Sequence, residues 1–207
     1  MFIRNPRTWS QFSTGLLTFA ASAVLAFAAA SAPSPANASH YAGATGGTGC
    51  TGGLNKTDNE KVSFYSGLDS NNTAASNWAR SNALDPTDIV TSTHSSLIAA
   101  TDIRVHDGTY TDQCGVTWYP YGTGVVGMAV CLSLKGSSCE QHQVRLNQNW
   151  TNSTTASNRR ALAVHEFGHA LGLGHRAAHD ISVMVQGYPK PVVTYVSHDL
   201  TSINAAY

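Results

Sequence analysis

Four stretches of the chain have the hydrophobic pattern of β-strands. KVSFY at residues 61–65, DIRVH at 102–106 and QVRLNQ at 143–148 alternate apolar with polar residues. VVGMAVCLSL at 125–134 is a largely apolar, partly β-branched run after a glycine-rich turn. Because successive side chains of a strand point to opposite faces, such alternation predicts strands that bury one face. We therefore predict a strand in each stretch.

A helical pattern lies between the first two strands. Small and apolar residues recur at three- and four-residue spacing from residue 72 to residue 84, and Pro86 follows. Because proline disfavours helical backbone at the residue before it, we predict an amphipathic helix over 72–84.

The clearest helix is predicted from Ser157 to Leu171. Ser157 has a side chain suited to an N-cap, and Gly172 is suited to ending the helix in a left-handed turn. At 100° per residue, His165 and His169 lie on one side of this helix, and apolar residues cover most of the rest. Such a helix must be buried, and its imidazoles then need partners.

Length and charge limit the partners of the chain. The 207 residues, of which 42% are hydrophobic, fit a single domain. Only 12% are charged, the formal net charge is zero, and no run of lysine or arginine forms a basic stripe. We therefore expect no nucleic-acid partner, and a monomer.

The N-terminal residues have the pattern of a secretion signal. Arg4 and Arg7 precede an apolar run from Leu16 to Ala30, and small residues follow at 36–38. The alternative is a membrane anchor, but the run is shorter than the roughly 20 residues that a spanning helix needs. We predict a signal peptide at residues 1–38, a secreted, extracellular protein, and no membrane association after cleavage.

An exported chain changes how its four cysteines are interpreted. Cys50, Cys114, Cys131 and Cys139 include no C-x-x-C pair, which argues against a thiolate zinc site. Their even number predicts two disulfides, for which three pairings are possible. Cys131 and Cys139 flank SLKGSS, whose glycine and serines suit a tight return, so we favour 131 with 139 and 50 with 114.

The segment HEFGHALGLGH at residues 165–175 has the spacing of a metal site. His165 and His169 project from one helical face one turn apart, as two ligands of one Zn²⁺ do. A continued helix would carry His175 away from them, but the glycines between allow the chain to reverse. Three protein ligands leave a fourth position for water, as in catalytic zinc sites.

Glu166 adds a group that metal binding alone does not require. Beside the first ligand, it can take a proton from zinc-bound water and later pass it to a leaving amine. The alternative is a buried helix with hydrogen-bonded histidines. The five fixed residues of H-E-x-x-H-x-x-G-x-x-H make a chance match rare, so we predict a catalytic zinc site that hydrolyses peptide bonds.

With Met184 nine residues after its last histidine, this segment resembles the zinc signature and methionine turn of the metzincin metallopeptidases. Within them it is most similar to a matrixin-type catalytic domain, here at residues 39–207. The resemblance implies an α+β fold with a twisted, mixed five-stranded sheet, an active-site helix and a C-terminal helix. It also implies a cleft between a larger N-terminal and a small C-terminal subdomain.

The resemblance also implies roles for particular residues. VVGMAV resembles the antiparallel edge strand that carries substrate, and SHDLTSINAAY resembles the closing helix. Met184 is expected as a hydrophobic floor beneath the zinc site, and Tyr188 as a wall of the specificity pocket. Arg176 departs from the residue that matrixins have after the third histidine, which leaves the subfamily open.

Two further kinds of metal site are considered. A second zinc is not expected, so three histidines are assigned to the surface or to hydrogen bonds: His94, His106 and His142. Calcium is possible at three aspartates near one predicted strand and turn, although such residues are more often solvated: Asp102, Asp107 and Asp112.

The function expected from these patterns is that of a secreted zinc endopeptidase acting on proteins or peptides. One alternative is an exported zinc-containing binding module without catalysis, which would have no use for Glu166. Another is an enzyme that cuts small peptides or amide bonds in cell-wall material, with the same site in a different cleft.

Overall fold

A computed structural model describes Thr57 and residues 61–111, 117–118, 125–136 and 138–207. All of them belong to one compact unit, Pro35–Tyr207. The predicted signal peptide and the predicted Cys50–Cys114 pair lie outside the described residues. Among the described residues, no helix is both long enough and apolar enough to cross a bilayer.

A mixed five-stranded sheet forms the centre of the unit, with strands in the order β2-β1-β3-β7-β6. Strands β2, β1, β3 and β7 run parallel, and β6 pairs antiparallel with β7 at one edge. A two-residue pair, β4 and β5, lies outside this sheet. The strands are β1 (Lys61–Ser66), β2 (Val90–His94), β3 (Ile103–His106), β4 (Tyr110–Thr111), β5 (Thr117–Trp118), β6 (Gly127–Lys135) and β7 (Ser138–Leu146). The predicted mixed sheet is confirmed.

A disulfide joins Cys131 of β6 to Cys139 of β7, as predicted. The prediction that β7 continues to residue 148 is wrong. The strand ends at Leu146 because the Asn147 side chain accepts hydrogen bonds from the N–H groups of Asn149 and Trp150. It thereby caps a short helix, α2 (Gln148–Ser153).

Three longer helices complete the architecture. α1 (Ser70–Ala79) is capped by Asp69 and continues as a π-helical turn at Arg80–Leu84, so the helix starts two residues before the predicted start at residue 72. α3 (Ala156–Ala170) contains most of the zinc motif, and α4 (Ser197–Ala206) closes the chain.

The predicted N-cap of α3 at Ser157 is wrong. The Thr155 hydroxyl accepts the Asn158 N–H at 3.2 Å, and Thr155 is the N-cap. The chain has several serines and threonines before this helix, and composition alone does not distinguish them as caps.

The core lies where α3 packs against the sheet on one side and against α1 on the other. Phe167 of α3 contacts Phe64 of β1 with ring centroids 5.2 Å apart. The largest fully buried aliphatic side chains of this core come from the sheet, the helices and the segment after α3: Val62, Leu84, Ile103, Val105, Leu146, Leu162, Leu171, Met184 and Ile203. Burying the back of α3 leaves its histidine face directed away from the core centre.

Candidate metal centre

Helix α3 ends in a turn that reverses the chain. The N–H of Leu173 donates to the Gly168 carbonyl at 2.8 Å, and that of Gly172 to the His169 carbonyl at 3.0 Å. These two bonds form a Schellman motif, which needs a left-handed residue after the helix. Gly172 supplies it with φ of 90°, a conformation that glycine adopts without the steric cost of a Cβ. The turn returns the chain toward the histidine face.

The three histidines of the motif converge. The Nε2 atoms of His165, His169 and His175 form a triangle whose three sides are all 3.2 Å. In the described part of the chain, no other group of three or more metal-binding side chains comes together in this way. The reversal predicted from the sequence therefore occurs.

Backbone carbonyls orient two of these rings. Nδ1 of His165 lies 2.8 Å from the Val183 oxygen, and Nδ1 of His169 lies 2.7 Å from the Leu173 oxygen. A carbonyl only accepts, so we assign the proton of each neutral ring to Nδ1. Each Nε2 then presents a lone pair, and the two lone pairs face each other. This arrangement is unfavourable unless a cation lies between them.

The triangle fits zinc. Nitrogens 3.2 Å apart subtend about 103° at an ion about 2.05 Å from each, close to the tetrahedral angle. His165 and His169 are buried whereas His175 is exposed, so the site opens on one side. Burial lowers the pKa of His165 to about 2 and that of His169 to about 4, which keeps both rings in the neutral form that binds metal.

The Glu166 side chain projects from α3 toward the edge strand β6. Glu166 is 4% exposed, and a Cβ added to Gly127 would lie 2.4 Å from its Oε1. A larger residue at position 127 would force this carboxylate to move. Burial raises the pKa of Glu166 to about 8, and the positive charge of Lys190 opposes the rise. The carboxyl group is therefore poised to gain and release a proton near neutral pH.

Met184 packs against the part of α3 that bears the histidines. Its Sδ packs so tightly on α3 that a Cβ at Gly168, between the two helical ligands, would lie 2.5 Å away. The Met184 N–H donates to the Ser182 hydroxyl, which itself donates to Asp199 of α4 at 2.8 Å. Met184 is fully buried, and its role as a floor beneath a bound zinc ion stays a prediction.

A cavity of about 500 Å³ opens over the metal centre. Residues 125–129, which lead into and form the start of the edge strand, line one side. The histidines and Glu166 line the base, and the segment 186–190 lines the other side through Gln186, Gly187, Tyr188 and Lys190. The shape is that of a cleft running along an edge strand.

Tyr188 is among the residues that line the cavity, and its role as a wall of a specificity pocket stays a prediction. Its ring packs on Trp150 with centroids 4.8 Å apart. Burial raises the pKa of its hydroxyl, which has no hydrogen-bond partner among the described residues. A neutral ring in this position suits a pocket wall.

Lys190 is a site residue that the sequence reasoning missed. Its Nζ donates to the Val185 carbonyl and lies 4.5 Å from the centroid of the Tyr188 ring. The one sequence signal for Lys190 was its position two residues after Tyr188. Because the segment that forms this wall is short, a residue so close to Tyr188 can line the same cavity.

The Arg176 side chain does not line the cavity over the metal centre. Its guanidinium lies 3.0 Å from His198 Nε2 of α4 and 3.1 Å from an Asp180 oxygen. Its backbone N–H donates to the Met184 carbonyl at 2.9 Å. Arg176, the residue after the third histidine, thus connects the end of the metal motif to the methionine turn and to the last helix.

The other candidate ligands lie elsewhere. Asp102 accepts the Ser63 N–H, and Asp107 accepts from Asp69 N–H and Asn72. The third aspartate, Asp112, lies outside the described residues, so calcium stays a prediction. The histidines not assigned to zinc join no metal-binding group in the described part of the chain: His94, His106 and His142.

Sheet, helices and histidine triad together have the architecture of a zinc metallopeptidase domain. Comparison with family models agrees, because the model described as Matrixin matches residues 69–207. The match covers more than half of the chain and includes every residue of the metal centre. The chain belongs to the matrixin family. A search of curated proteins found no significant match.

Proposed function

We propose that the protein is a secreted zinc endopeptidase that hydrolyses internal peptide bonds of proteins. Membership of the matrixin family supports the metallopeptidase class. The observation that carries the proposal is the 3.2 Å triangle of three Nε2 atoms beside a buried carboxyl group. Residues 1–38, with their basic start and apolar run, support export.

The histidines hold the metal in this proposal. When bound, zinc acidifies a coordinated water and polarises the scissile carbonyl. His165 and His169 keep their orientation through the Val183 and Leu173 carbonyls, and such outer-shell contacts set the tautomer that binds metal. His175, on the exposed side, completes the set and leaves an open approach for substrate.

Glu166 moves the proton. In its ionised form it accepts a proton from the attacking water, and in its protonated form it donates that proton to the leaving amine. Burial favours the protonated form, and the nearby positive charge of Lys190 favours the ionised one. In the metal-free fold both forms are accessible near neutral pH, and a bound divalent cation would favour the ionised form that accepts the proton.

The edge strand positions the substrate. β6 pairs with β7 on one side only, and residues 125–129 face the cavity on the other. An extended peptide can add to such an edge through backbone hydrogen bonds, which hold it without regard to sequence. A chain bound along this edge passes the three histidines with its backbone extended, as internal cleavage requires.

Glu166→Gln tests the proposed mechanism. This substitution keeps the size of the side chain but removes the base, and a positioned acid–base group contributes about 10²–10⁴-fold to rate. We expect zinc stoichiometry to stay at one per chain and casein hydrolysis to fall by at least about 100-fold. Glu140→Gln is the matched control, since Glu140 is exposed and outside the cavity.

The alternative functions predict other results. Undiminished hydrolysis by Glu166→Gln would contradict the assigned base. A zinc-loaded wild-type protein that cuts no peptide would favour the exported binding module. Cleavage restricted to dipeptides, tripeptides or cell-wall amides would favour an enzyme that acts on small peptides or cell-wall material. Internal cuts in long peptides support an endopeptidase.

A further inference from the structure

The wall of the cavity opposite the edge strand contains a lysine for which the proposed mechanism assigns no contact with substrate. Lys190 lines the same cavity as the three histidines and Glu166. Among the described residues that line this cavity, it is the one lysine or arginine. A cation placed beside a reaction centre acts on whatever charge the substrate brings there.

The contacts of Lys190 orient its charge without neutralising it. Its Nζ donates to the Val185 carbonyl and lies over the Tyr188 ring, which fixes the position of the ammonium group. No carboxylate forms an ion pair with it in the described part of the chain. An ammonium group has three N–H donors, so this one can still bind another acceptor.

The electrostatics of the cavity point in the same direction. Burial lowers the pKa of Lys190 to about 8, and Glu166 raises it, so the side chain is mainly charged at neutral pH. Glu166 is the one carboxylate among the described lining residues. The positive charges of the zinc-loaded cavity are those of Lys190 and of the divalent cation. The loaded cavity therefore carries a net positive charge.

We propose that Lys190 makes the enzyme select substrates with a carboxylate side chain close to the scissile bond, which rests on the proposed peptidase function. The ammonium group binds the carboxylate of a glutamate or aspartate that enters the cavity beside Tyr188. The interaction is a charge-assisted hydrogen bond in a partly desolvated setting, where such bonds are stronger than in open water. Lys190 is thus a specificity residue.

A purely structural role makes a different prediction. If Lys190 only ties the wall together through Val185 and Tyr188, removing it loosens the cavity for every peptide alike. If it recognises an acidic side chain, removing it weakens the cleavage of acidic peptides more than that of neutral ones, on top of any change common to all peptides that arises because the Lys190 charge also acts on Glu166. The ratio of the two rates therefore separates recognition from support.

The experiment uses, for each position within two residues of the cut, three otherwise identical fluorogenic peptides that carry glutamate, glutamine or lysine at that position. For the zinc-loaded wild-type enzyme we expect kcat/KM to be about tenfold higher for glutamate than for glutamine at one of these positions. In Lys190→Met the ratio falls to about one, and in Lys190→Glu the lysine peptide becomes the best.

Controls address net charge and folding. Lys61→Met removes the same charge from an exposed residue outside the cavity and is expected to keep the tenfold ratio. Zinc content and circular dichroism of each variant report on folding. Adding 1 M salt to the wild-type enzyme lowers the ratio, since salt screens a partly exposed charge pair.

Binding provides a readout that does not depend on turnover. Zinc-loaded Glu166→Gln is titrated with the labelled peptides, and fluorescence anisotropy is expected to show tighter binding of the glutamate peptide by about tenfold. The preference disappears in the double variant Glu166→Gln, Lys190→Met.

Distinct results overturn the two proposals. Equal binding and cleavage of glutamate and glutamine peptides, or an equal loss for both in Lys190→Met, would overturn the role of Lys190 while leaving the peptidase in place. Zinc-loaded enzyme that cuts none of the peptides would overturn the peptidase, and the anisotropy series would still decide whether Lys190 selects acidic ligands.

Discussion

The metal centre has two halves that differ in what holds them in place. His165, Glu166 and His169 lie on one helix, and their spacing follows from helical geometry alone. The other half, residues 171–190, contains no helix or strand of the sheet and supplies His175, Met184, Tyr188 and Lys190.

The loop half is positioned by contacts with distant parts of the chain. Its chain reverses at Gly172, Arg176 N–H donates to the Met184 carbonyl, and Ser182 bonds Asp199 of the last helix. The Val183 carbonyl orients His165, so the loop half also acts on the helical one. The difference teaches that one half of a metal site can be set by local helical geometry and the other by tertiary contacts, with the exposed ligand on the tertiary side.

Removing one ligand from each half gives the largest expected effects. We expect His169→Ala and His175→Ala both to lose zinc and activity, by more than the roughly 10–100-fold cost of losing an outer-shell partner. His169→Ala should also lower the free energy of unfolding of the metal-free protein, because its ring is buried and bonded to Leu173. Zinc analysis and urea denaturation measure both effects.

His179→Ala is the control for this pair, since that side chain is 87% exposed and lies outside the cavity. It should leave zinc content, activity and unfolding unchanged. Full zinc occupancy in His175→Ala would show that the loop half is not part of the metal site.

A second prediction concerns the pH dependence of the helical half. The pKa of Glu166 in the fold is about 8, above its ordinary 4.5, so the folded protein binds this proton more tightly than the unfolded chain does. Its contribution to stability is therefore complete below pH 4.5 and is lost as pH rises toward 8. Glu166→Gln lacks this loss and should be the more stable metal-free protein at pH 8, by on the order of a few kcal/mol.

Urea denaturation of both chelated proteins at pH 4.5 and pH 8 measures this difference. Histidine ligands also destabilise the metal-free fold below pH 6.5, because their pKa is lowered, but they do so equally in both proteins. A gap between the two proteins that does not grow from pH 4.5 to pH 8 would refute the raised pKa.

The smallest expected effect tests the turn between the halves. Gly172→Ala places a Cβ at φ of 90°, which costs about 1–2 kcal/mol. If the chain relieves this strain by moving His175, zinc binding weakens by up to about tenfold. Gly108→Ala is the matched control, because a Cβ there meets no atom within 4 Å. Competition with a zinc chelator measures the zinc affinity of both variants. Equal zinc affinities of Gly172→Ala and Gly108→Ala would show that the turn does not set the position of the third ligand.

Local pattern was enough to predict the elements with strong periodicity. β1, β3 and β6 alternate or are apolar along their length, and α3 has both the helical period and the ligand spacing. The Cys131–Cys139 disulfide followed from short separation and a glycine turn. In each case the determining information lies within about fifteen residues.

The missed features depend on distant contacts. β2, with the sequence VTSTH, is a polar edge strand without alternation, and it becomes a strand by pairing with β1. α2 has only six residues, too few for a helical period. Lys190 is a single charge whose place in the cavity is fixed by the fold of the wall. Sequence pattern carries no direct signal for β2 or α2, and for Lys190 the one signal is its closeness to Tyr188 along the chain.

The central claim is that three imidazoles from the two halves share one ion. Crystals of zinc-loaded protein, measured with X-rays above and below the zinc absorption edge, locate the metal directly. The account predicts one anomalous peak about 2.0–2.1 Å from the Nε2 atoms of His165, His169 and His175. A zinc ion held without His175, or no peak at this place, would contradict it.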